Sequence, residues 1–311
     1  MPSGGARSSG SAAPIASKEA RSSGGRAPTS SSEAWLLSVR EFSFSDEDFE
    51  ALRLLVKSLT GINAGEHKRE LIYSRLSRRL RALGLTSFRD YRKRVAADPG
   101  ELVQLVNAIT TNLTAFFRER HHFDYLRDEV LRPLAANPRG TRRLRIWSAG
   151  CSSGEEPYSI AMTVLDAIAD LPRWDVRILA TDLDSDVLAR ARAGVYPLDR
   201  LRGLGPGELA RFFDERRDHG AAAWRVKPQV AALVTFKQLN LIHALPMKGP
   251  LDVIFCRNTV IYFDKDTQRD LFARMAVLQR PGDLLFLGHS ESLFKVSTDY
   301  TLIGRTIYRR N

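Results

Sequence analysis

Four short apolar runs in the second half of the chain alternate with longer stretches of helical periodicity. The runs lie at residues 144–147, 176–180, 253–256 and 284–287. Short, mostly apolar strands that alternate with helices are typical of a parallel sheet covered by helices. We therefore predict an α/β domain at residues 140–311.

The gap between the second and third runs is too long for a single crossover helix. It contains several glycines and prolines between residues 197 and 207, then alternating segments at residues 223–226 and 230–237. Glycine and proline favour turns, and alternation favours strands with one exposed face. We predict a small antiparallel β insertion at about residues 196–236, and a terminal strand at residues 300–309.

The chain between residues 43 and 139 has helical periodicity throughout. Ser45 is a candidate N-cap, and apolar residues then recur at helical spacing until Gly61 supplies a stop. A second helix ends before Gly84. Further helices are predicted near residues 87–97, 101–109 and 115–135. We therefore predict an all-α domain at residues 43–139.

Residues 1–34 consist almost entirely of Ser, Gly, Ala, Pro and Arg. Such a segment cannot bury enough apolar surface to offset the entropy of ordering, so we predict a disordered tail over residues 1–42. The sequence has no apolar run of about 18 residues and no hydrophobic signal core. Two cysteines cannot form a disulfide framework, and we expect a reduced, cytoplasmic protein without membrane insertion.

The formal net charge is +11, and residues 68–94 carry much of it. Ten lysines and arginines in that segment face only Glu70 and Asp90. A basic surface of this kind fits nucleic acid, an anionic membrane or an acidic protein. Charge alone does not choose among these partners.

Residues 145–162 combine a strand, a turn that contains Gly150 and Gly154, and a helix. Small residues let a ligand approach the backbone, and a helix N-terminus offers unpaired N–H groups, as in nucleotide sites. Glu155 and Glu156 follow at once. They would repel a pyrophosphate but suit a cofactor with a cationic amino acid tail. The alternative is that they only compensate the helix dipole.

Polar residues also follow the next two strands. Asp182 ends the second strand, where Rossmann-like domains bind ribose hydroxyls; the alternative is a helix-capping turn, with Asp184 as the cap. The third strand delivers Arg257, Asn258 and Tyr262 to its carboxyl end, the edge at which parallel sheets bind ligands. Together the three segments indicate an adenosyl cofactor that carries an amino acid, hence S-adenosylmethionine.

Five motifs occur in order along the chain, at residues 110–119, 148–159, 181–184, 240–241 and 255–262. In this order they resemble the chemotaxis receptor glutamate methyltransferases, the CheR family. The resemblance implies an all-α domain followed by a Rossmann-like methyltransferase domain with a β insertion. It also implies methyl transfer from S-adenosylmethionine, which leaves S-adenosylhomocysteine, to glutamates on the cytoplasmic helical bundle of chemoreceptors. We expect the enzyme to be a monomer.

The resemblance assigns site residues by motif. The residues that would line the cofactor site are Asn112, Thr114, Arg118, Glu155, Asp182, Asn240, Leu241, Arg257 and Asn258. By the family's pattern Asp182 would hold the ribose and Glu155 would suit the methionine ammonium. Asn240 and Leu241 would lie at the adenine.

The chemistry of the acceptor suggests catalytic roles for Arg118 and Tyr262. A glutamate is ionised near neutral pH and needs no general base, so the enzyme has to align it with the methyl group and exclude water. We expect Arg118 to hold one carboxylate oxygen while the other attacks, and Tyr262 to donate a hydrogen bond or shape the path of the methyl. The alternatives are an ion pair of Arg118 with Glu119 or Asp124, and ordinary packing of Tyr262.

The basic helix at residues 69–81 predicts a docking surface for the acidic helices of a receptor, with Arg75, Arg78 and Arg79 as candidate contacts. Opposite charge would speed encounter and make it sensitive to salt; the alternative is a solvated arginine face. The pair at residues 121–122, two histidines, has no partner at zinc-like spacing, so we expect no metal.

Two other functions stay open from the residues alone. A nucleic-acid methyltransferase would suit the charge, but such enzymes carry a Pro-Pro or Pro-Cys motif where this chain has Cys-Arg-Asn-Thr at residues 256–259. We therefore expect no nucleic-acid partner. A regulatory module that binds the cofactor or a signalling nucleotide without transferring anything would have no use for Arg118 and Tyr262.

Overall fold

The computed structural model describes residues 40–137, 142–218 and 221–311. Most of the predicted tail therefore lies outside the described residues. Its last residue, Phe42, is buried and packs edge-on against Phe88, with ring centroids 6.5 Å apart. The helical core thus begins at Phe42, inside the range predicted as the tail. Phe42 is close enough to the first helix in the chain for its ring to be buried in the helical core.

Four helices open the described chain: α1 (Asp46–Thr60), α2 (Arg69–Leu83), α3 (Phe88–Ala97) and α4 (Pro99–Ile109). Ser45 caps α1, and its hydroxyl accepts the Asp48 N–H at 3.1 Å. Gly61 and Gly84 end α1 and α2 with φ angles of 75° and 65°. This is the left-handed region that glycine adopts without strain. The start and the two stops predicted for these helices are confirmed.

Arg79 of α2 is part of a buried polar cluster inside the four-helix core. It donates two hydrogen bonds to Glu101 of α4, at 2.9 and 2.6 Å. The Tyr91 hydroxyl of α3 donates a third to the same carboxylate at 3.1 Å. Glu101 is only 4% exposed, and a buried charge is tolerated only when it is paired and hydrogen-bonded. These bonds therefore fix α2, α3 and α4 against one another.

Arg75, one turn earlier on α2, closes the end of α4. Its Nη1 donates to the carbonyl oxygens of Ile109 and Thr110 at 2.5 and 2.8 Å, and its Nη2 donates to the Thr111 hydroxyl at 3.1 Å. The last carbonyls of a helix have no partner within the helix. Arg75 thus satisfies the end of α4 and holds the chain that leaves it.

The rest of the described chain combines short helices with two sheets. The helices are α5 (His121–Tyr125), α6 (Arg132–Ala136), α7 (Glu155–Ala167), α8 (Ser185–Ala193), α9 (Pro206–Phe212), α10 (Pro228–Ala231) and α11 (Lys265–Val277). The strands are β1 (Arg143–Ala149), β2 (Asp175–Asp182), β3 (Val195–Pro197), β4 (Phe213–Asp218), β5 (Ala221–Val226), β6 (Val234–Gln238), β7 (Val253–Cys256), β8 (Leu284–Leu287), β9 (Tyr300–Leu302) and β10 (Ile307–Arg310).

The main sheet has the strand order β6-β2-β1-β7-β8-β10-β9. Neighbours from β6 to β8 are parallel, and β10 and β9 close the edge in antiparallel fashion. The four predicted strands are confirmed as β1, β2, β7 and β8, and the predicted terminal strand is the hairpin β9–β10. The α/β fold with a preceding all-α part is thus confirmed.

Alternate residues of the central strands enter different apolar clusters. Phe255 and Phe286 stack with ring centroids 4.4 Å apart, in a cluster that also contains Ile160 of α7. Ile254 and Leu285, their chain neighbours, belong to a second cluster that includes residues of α11. Successive side chains of a strand point to opposite faces, so each face of the sheet has its own core.

The β insertion is smaller than predicted. Its antiparallel sheet has the order β3-β5-β4 and ends at Val226. The segment predicted as its last strand, residues 230–237, instead contains β6, which pairs parallel with β2 in the main sheet. An edge strand has one sheet neighbour and exposes alternate side chains, so its sequence resembles a strand of an antiparallel insertion.

The helix predicted at residues 115–135 is interrupted and starts late. Phe117 and Glu119 have φ angles of 50° and 59°, which a right-handed helix does not allow, so α5 begins only at His121. A π-helical turn at Leu126–Leu131 separates α5 from α6. Phe123 and Leu126 belong to the same cluster as the sheet residues. This segment therefore packs with the α/β part of the molecule.

The chain leaves β1 toward β2 on one side of the sheet and later returns to β7 on the other side. Such a reversal of strand order opens a crevice at the carboxyl ends of the strands, where open α/β sheets bind ligands. None of the helices in the described ranges is both long and apolar enough to span a membrane.

The Arg79–Glu101 pair gives a prediction about stability. Arg79→Ala should lower the free energy of unfolding by about 2 kcal/mol, because it leaves the buried Glu101 carboxylate without its main hydrogen-bond donor. The matched control is Arg78→Ala on the same helix, which removes an exposed side chain and should change stability by less than about 0.5 kcal/mol. Urea denaturation followed by circular dichroism measures both; equal stability of the two variants would contradict the assignment.

Candidate active site

A cavity opens at the carboxyl ends of β1, β2 and β7 and is bordered by α1 and by the segment that follows α4. The space that it outlines is about 920 Å³, part of it open to solvent. The predicted residues in its lining are Asn112, Thr114, Arg118, Asp182, Asn240, Leu241, Arg257, Asn258 and Tyr262. The fold thus brings together all but one of the predicted cofactor residues.

The turn between β1 and α7 forms the floor of the cavity. Gly150 lies in its lining with a φ of 84°, and a Cβ at this position would clash with the Thr259 hydroxyl. The backbone N–H of Gly150 donates to the Thr181 carbonyl at 2.8 Å. The glycine keeps the backbone open to a ligand and allows the turn to approach β2 closely.

Asp182 ends β2 at the edge of the cavity and is 9% exposed. Its carboxylate accepts the Ser152 N–H at 2.8 Å and the Asp184 N–H at 3.0 Å. Burial raises the pKa of Asp182, and the backbone N–H groups oppose this shift. The carboxylate is thus held in a fixed orientation where it can accept hydrogen bonds from vicinal hydroxyls.

Asp184 is a positioning residue that the sequence analysis considered only as a cap. Its Oδ1 does cap α8, by accepting the Asp186 N–H at 2.8 Å. Its Oδ2 accepts hydrogen bonds from the Thr110 hydroxyl and the Asn112 side chain, both at 2.7 Å. The segment after α4 is thereby fixed over the cavity, and Asn112 acts through this bond. In the sequence, the sign of this role was the pair of aspartates at residues 182 and 184.

The two glutamates at the start of α7 have different environments. Glu155 is fully buried outside the cavity lining, where Arg200 donates to it and the Ser153 hydroxyl donates at 2.7 Å. Glu156 lines the cavity and accepts the Ser148 hydroxyl at 2.7 Å. Glu155 therefore lies outside the cavity in which the other predicted cofactor residues meet. Adjacent helix residues point about 100° apart, and sequence alone could not decide which of them faces the ligand.

Arg257 lies between two carboxylates, Glu156 in the cavity lining and Glu119 outside it. Its guanidinium lies 3.5 Å from the Glu156 carboxylate and 3.4 Å from the Glu119 carboxylate. It also donates to the Arg118 carbonyl and stands 5.4 Å from the centre of the Phe123 ring. Burial raises the pKa of Glu156, while Arg257 and the Ser148 hydroxyl lower it. Arg257 thus holds Glu156 and the backbone at Arg118 in place.

Glu291, which no sequence motif singled out, builds the turn that follows β7. This residue is 4% exposed. Its carboxylate accepts five backbone N–H groups at 2.7 to 3.2 Å, from Asn258, Thr259, Val260, Ile261 and Gly288. The bonds hold Asn258 in the left-handed region, at φ 55°. A glutamate four residues after the end of the apolar strand β8 was the sequence signal.

Asn240 and Leu241 form the wall next to the helical part. The Asn240 side chain donates to the Leu59 carbonyl of α1 at 2.7 Å, and Thr60 and Ile62 also line the cavity. The Leu241 carbonyl accepts a hydrogen bond from Arg274 at 2.7 Å. One side of the cavity is therefore apolar and is completed by residues of the helical domain.

Arg118 and Tyr262 lie in the cavity lining as half-buried side chains. Arg118 donates to the Leu113 carbonyl at 2.8 Å; it is not paired with Glu119 or Asp124, the structural alternatives considered from sequence. The Lys68 ammonium stands 4.9 Å from the centre of the Tyr262 ring. Leu113 is 75% exposed. A cation, a phenol and an exposed apolar side chain thus converge on this cavity.

The predicted docking arginines have different environments. Arg78 is exposed on α2, whereas Arg75 and Arg79 make the internal bonds described above. The expectation that all three form a contact surface does not match this geometry, because helical spacing of 3.6 residues turns successive arginines toward different neighbours. Arg78 is the member of the set that is presented to solvent.

The cavity fits the amino acid and nucleoside parts of S-adenosylmethionine. The Asp182 carboxylate suits a ribose diol, and Glu156 offers a negative charge to an ammonium group. An apolar wall beside Leu241 suits a base, and the turn at Gly150 leaves room for a ligand along the backbone. Each of these features follows from contacts within the chain.

Comparison with protein families supports the same cofactor. The family model "CheR methyltransferase, SAM binding domain" matches residues 112–309. The model "CheR methyltransferase, all-alpha domain" matches residues 47–110. The two matches cover the four helices and the α/β part in the order in which the structure has them.

Relatives with the same organisation are similar over most of the chain. Chemotaxis protein methyltransferase 2 of Pseudomonas aeruginosa is 48% identical over 270 residues, which cover 86% of this chain and 95% of that protein. The chemotaxis protein methyltransferase of Escherichia coli is 41% identical over 278 residues, 88% of this chain and 94% of its own length. From these matches and the geometry of its cavity, the chain belongs to the CheR methyltransferase family and is an S-adenosylmethionine-dependent methyltransferase.

Proposed function

We propose that this protein transfers the methyl group of S-adenosylmethionine to glutamate side chains of methyl-accepting chemoreceptors and forms glutamate methyl esters. The observation that carries the proposal is the combination, in one cavity, of Asp182 and Glu156 on the cofactor side with Arg118 and Tyr262. The names of the relatives, which are chemotaxis protein methyltransferases, favour the same pathway.

Within this proposal Asp182 holds the ribose and Glu156 pairs with the ammonium of the methionine part. Asn240 and Leu241 contribute the wall at the adenine. Asn112 and Thr114 cover the cofactor from the segment after α4, and Arg257 and Asn258 close the cavity at the end of β7. S-adenosylmethionine, when bound, supplies a methyl group on a positively charged sulfur and leaves as S-adenosylhomocysteine.

The acceptor glutamate needs alignment, and it needs no general base. Its carboxylate is already ionised near neutral pH, so the enzyme contributes by holding it and by excluding water. A guanidinium carries five donors in a rigid fork, and the Leu113 carbonyl engages Arg118 through Nη1. Arg118 holds one oxygen of the acceptor carboxylate, and Tyr262 limits the position of the other.

The receptor approaches over the exposed part of α2. Arg78 supplies positive charge there, and Lys68 continues it toward Tyr262. Opposite charge on an acidic receptor helix speeds encounter and orients the partner. The acceptor glutamates lie on the cytoplasmic part of the receptor, so the protein acts in the cytoplasm.

Labelled S-adenosylmethionine incubated with chemoreceptor cytoplasmic fragments tests the proposal. We expect label on the fragments that mild base releases as methanol, because a carboxyl methyl ester is labile to base whereas N-methyl and ether groups are not. Tight cofactor binding without any label on the receptor fragments would instead favour the regulatory module, and base-stable label would contradict the glutamate acceptor.

Substituting the two glutamates of α7 one at a time tests which of them binds the cofactor. Glu156→Gln should weaken S-adenosylmethionine binding by about tenfold or more, because it removes the charge that pairs with the ammonium. Burial raises the pKa of Glu156, so wild-type affinity should fall as the pH is lowered through that raised value, and Glu156→Gln should lack this fall.

Isothermal titration calorimetry across a pH series measures both effects. Glu155→Gln is the matched control, because Glu155 is bonded to Arg200 outside the cavity; it should keep wild-type affinity and pH dependence. A larger loss in Glu155→Gln than in Glu156→Gln would reverse the assignment.

Arg118→Ala should lower the turnover number on receptor fragments by well over tenfold, since the acceptor carboxylate loses the guanidinium that holds it in place. Arg118→Lys should recover only part of the activity, because an ammonium cannot make the bidentate contact. Arg120→Ala is the control two residues away, where the side chain is exposed and paired with Glu208. Near-normal turnover of Arg118→Ala in the base-labile assay would remove the proposed role.

Arg78→Glu should reduce the initial rate of receptor methylation at low ionic strength, with a smaller difference at high salt because of screening. Affinity for the cofactor should not change. Arg309→Glu, an exposed charge reversal on β10, has the same net charge and is the matched control. If both reversals give the same rate across the salt series, α2 is not the docking surface.

A further inference from the structure

Three side chains outside the proposed catalytic machinery converge at the start of α5. Glu119, His121 and His122 each place one potential ligand atom so that these atoms lie within 4.8 Å of one another. The Glu119 Oε2, His121 Nε2 and His122 Nδ1 atoms are buried and have no hydrogen-bond partner among the described residues. Buried polar atoms are almost always hydrogen-bonded to protein or water, so three such atoms this close together are placed to share one ligand.

The hydrogen bonds of His122 determine which of its nitrogens is available. Its side chain is fully buried, and its Nε2 lies 2.9 Å from the Arg305 carbonyl oxygen. A carbonyl oxygen can only accept, so Nε2 carries the hydrogen and donates it. Nδ1 then presents a lone pair, and it faces the Glu119 Oε2 at 3.5 Å. A carboxylate oxygen and an imidazole lone pair that face each other inside a protein are an arrangement that a cation coordinated by both satisfies; Arg257 lies near Oε2 without a hydrogen bond to it.

The backbone holds Glu119 in this position. Its φ of 59° lies in the left-handed region, which is uncommon for a residue with a side chain and often marks a functional site. The other carboxylate oxygen is 2.9 Å from His289 Nδ1. Arg257 approaches Oε2 to 3.4 Å, without making a hydrogen bond to it. The carboxylate is thus oriented from one side while Oε2 stays directed at the histidines.

The donor set identifies the chemical class of the cation. Two imidazole nitrogens and one carboxylate oxygen suit zinc and similar divalent transition metals better than magnesium or calcium, which prefer oxygen ligands. Zinc commonly takes three protein ligands and a water molecule. A metal-binding histidine usually donates its other ring N–H to a carbonyl or carboxylate, as His122 does to Arg305. The spacing of these residues in the sequence did not predict a zinc site, because Glu119 approaches the two histidines only through a left-handed turn.

We propose that Glu119, His121 and His122 form a binding site for Zn²⁺, with water as the fourth ligand and His289 orienting Glu119. The site is separate from the cofactor cavity but touches its wall, since Glu119 follows Arg118 in the chain and contacts Arg257. Bound metal therefore fixes the segment that carries Arg118. The inference does not depend on which acceptor the enzyme methylates.

Metal titration of the full chain tests the site directly. The protein is stripped with a chelator, dialysed, and titrated with Zn²⁺ in competition with a chromophoric zinc indicator. We expect one Zn²⁺ per chain, and binding weaker by at least about tenfold in His121→Ala and in Glu119→Gln. Co²⁺ should give the visible absorption of a tetrahedral nitrogen and oxygen site in the wild type but not in His121→Ala.

His121→Ala is preferred to a change at His122, because His122 is fully buried and its removal endangers the fold. His67→Ala removes an exposed histidine far from the cluster in sequence and should keep wild-type metal affinity. Circular dichroism and cofactor affinity establish that each variant is folded. The absence of stoichiometric Zn²⁺ binding, wild-type affinity in His121→Ala, or loss of binding in His67→Ala would each overturn the proposal.

Discussion

The cavity depends on the carboxyl ends of β1, β2 and β7 meeting at one edge of the sheet. In a parallel sheet every strand ends at the same edge, and the reversal of strand order next to β1 keeps neighbouring loops apart. The turn at Gly150, the carboxylate of Asp182 and the turn at Asn258 are distant in sequence, yet each follows directly from one of these strands. The sheet therefore brings the carboxyl ends of the three strands together, and local hydrogen bonds in the loops that follow them complete the cavity.

Those local bonds come largely from buried carboxylates. Glu291 accepts the five N–H groups that shape the turn after β7, and Asp184 ties the segment after α4 to α8. Withdrawing a charge from water is costly unless hydrogen bonds compensate it, and in both cases N–H or O–H donors surround the carboxylate. Asp182 is held in the same way. The site is thus preorganised before any ligand binds, which limits the entropy lost on binding.

The helical domain is part of this arrangement as well. Asn240 reaches the end of α1, and residues that follow α1 line the cavity. Arg75 closes α4 and so fixes where the next segment begins. Interactions that look like a surface charge pattern in the sequence therefore serve the internal order of the molecule, and only Arg78 of the three predicted docking residues is presented to solvent.

Local patterns in the sequence were sufficient for the four central strands, the caps of α1 and α2, and the cavity residues at the ends of β2 and β7, because strand ends place their side chains by backbone geometry; the other predicted cavity residues came from the family resemblance. The different environments of Glu155 and Glu156, the internal hydrogen bonds of Arg75 and Arg79, and the contacts of Glu291 could be seen only in three dimensions. Each of these depends on which distant element packs against the side chain. Hydrophobic periodicity fixes where an element lies in the chain, whereas the direction and partners of a polar side chain follow from the packing of elements that are far apart in sequence.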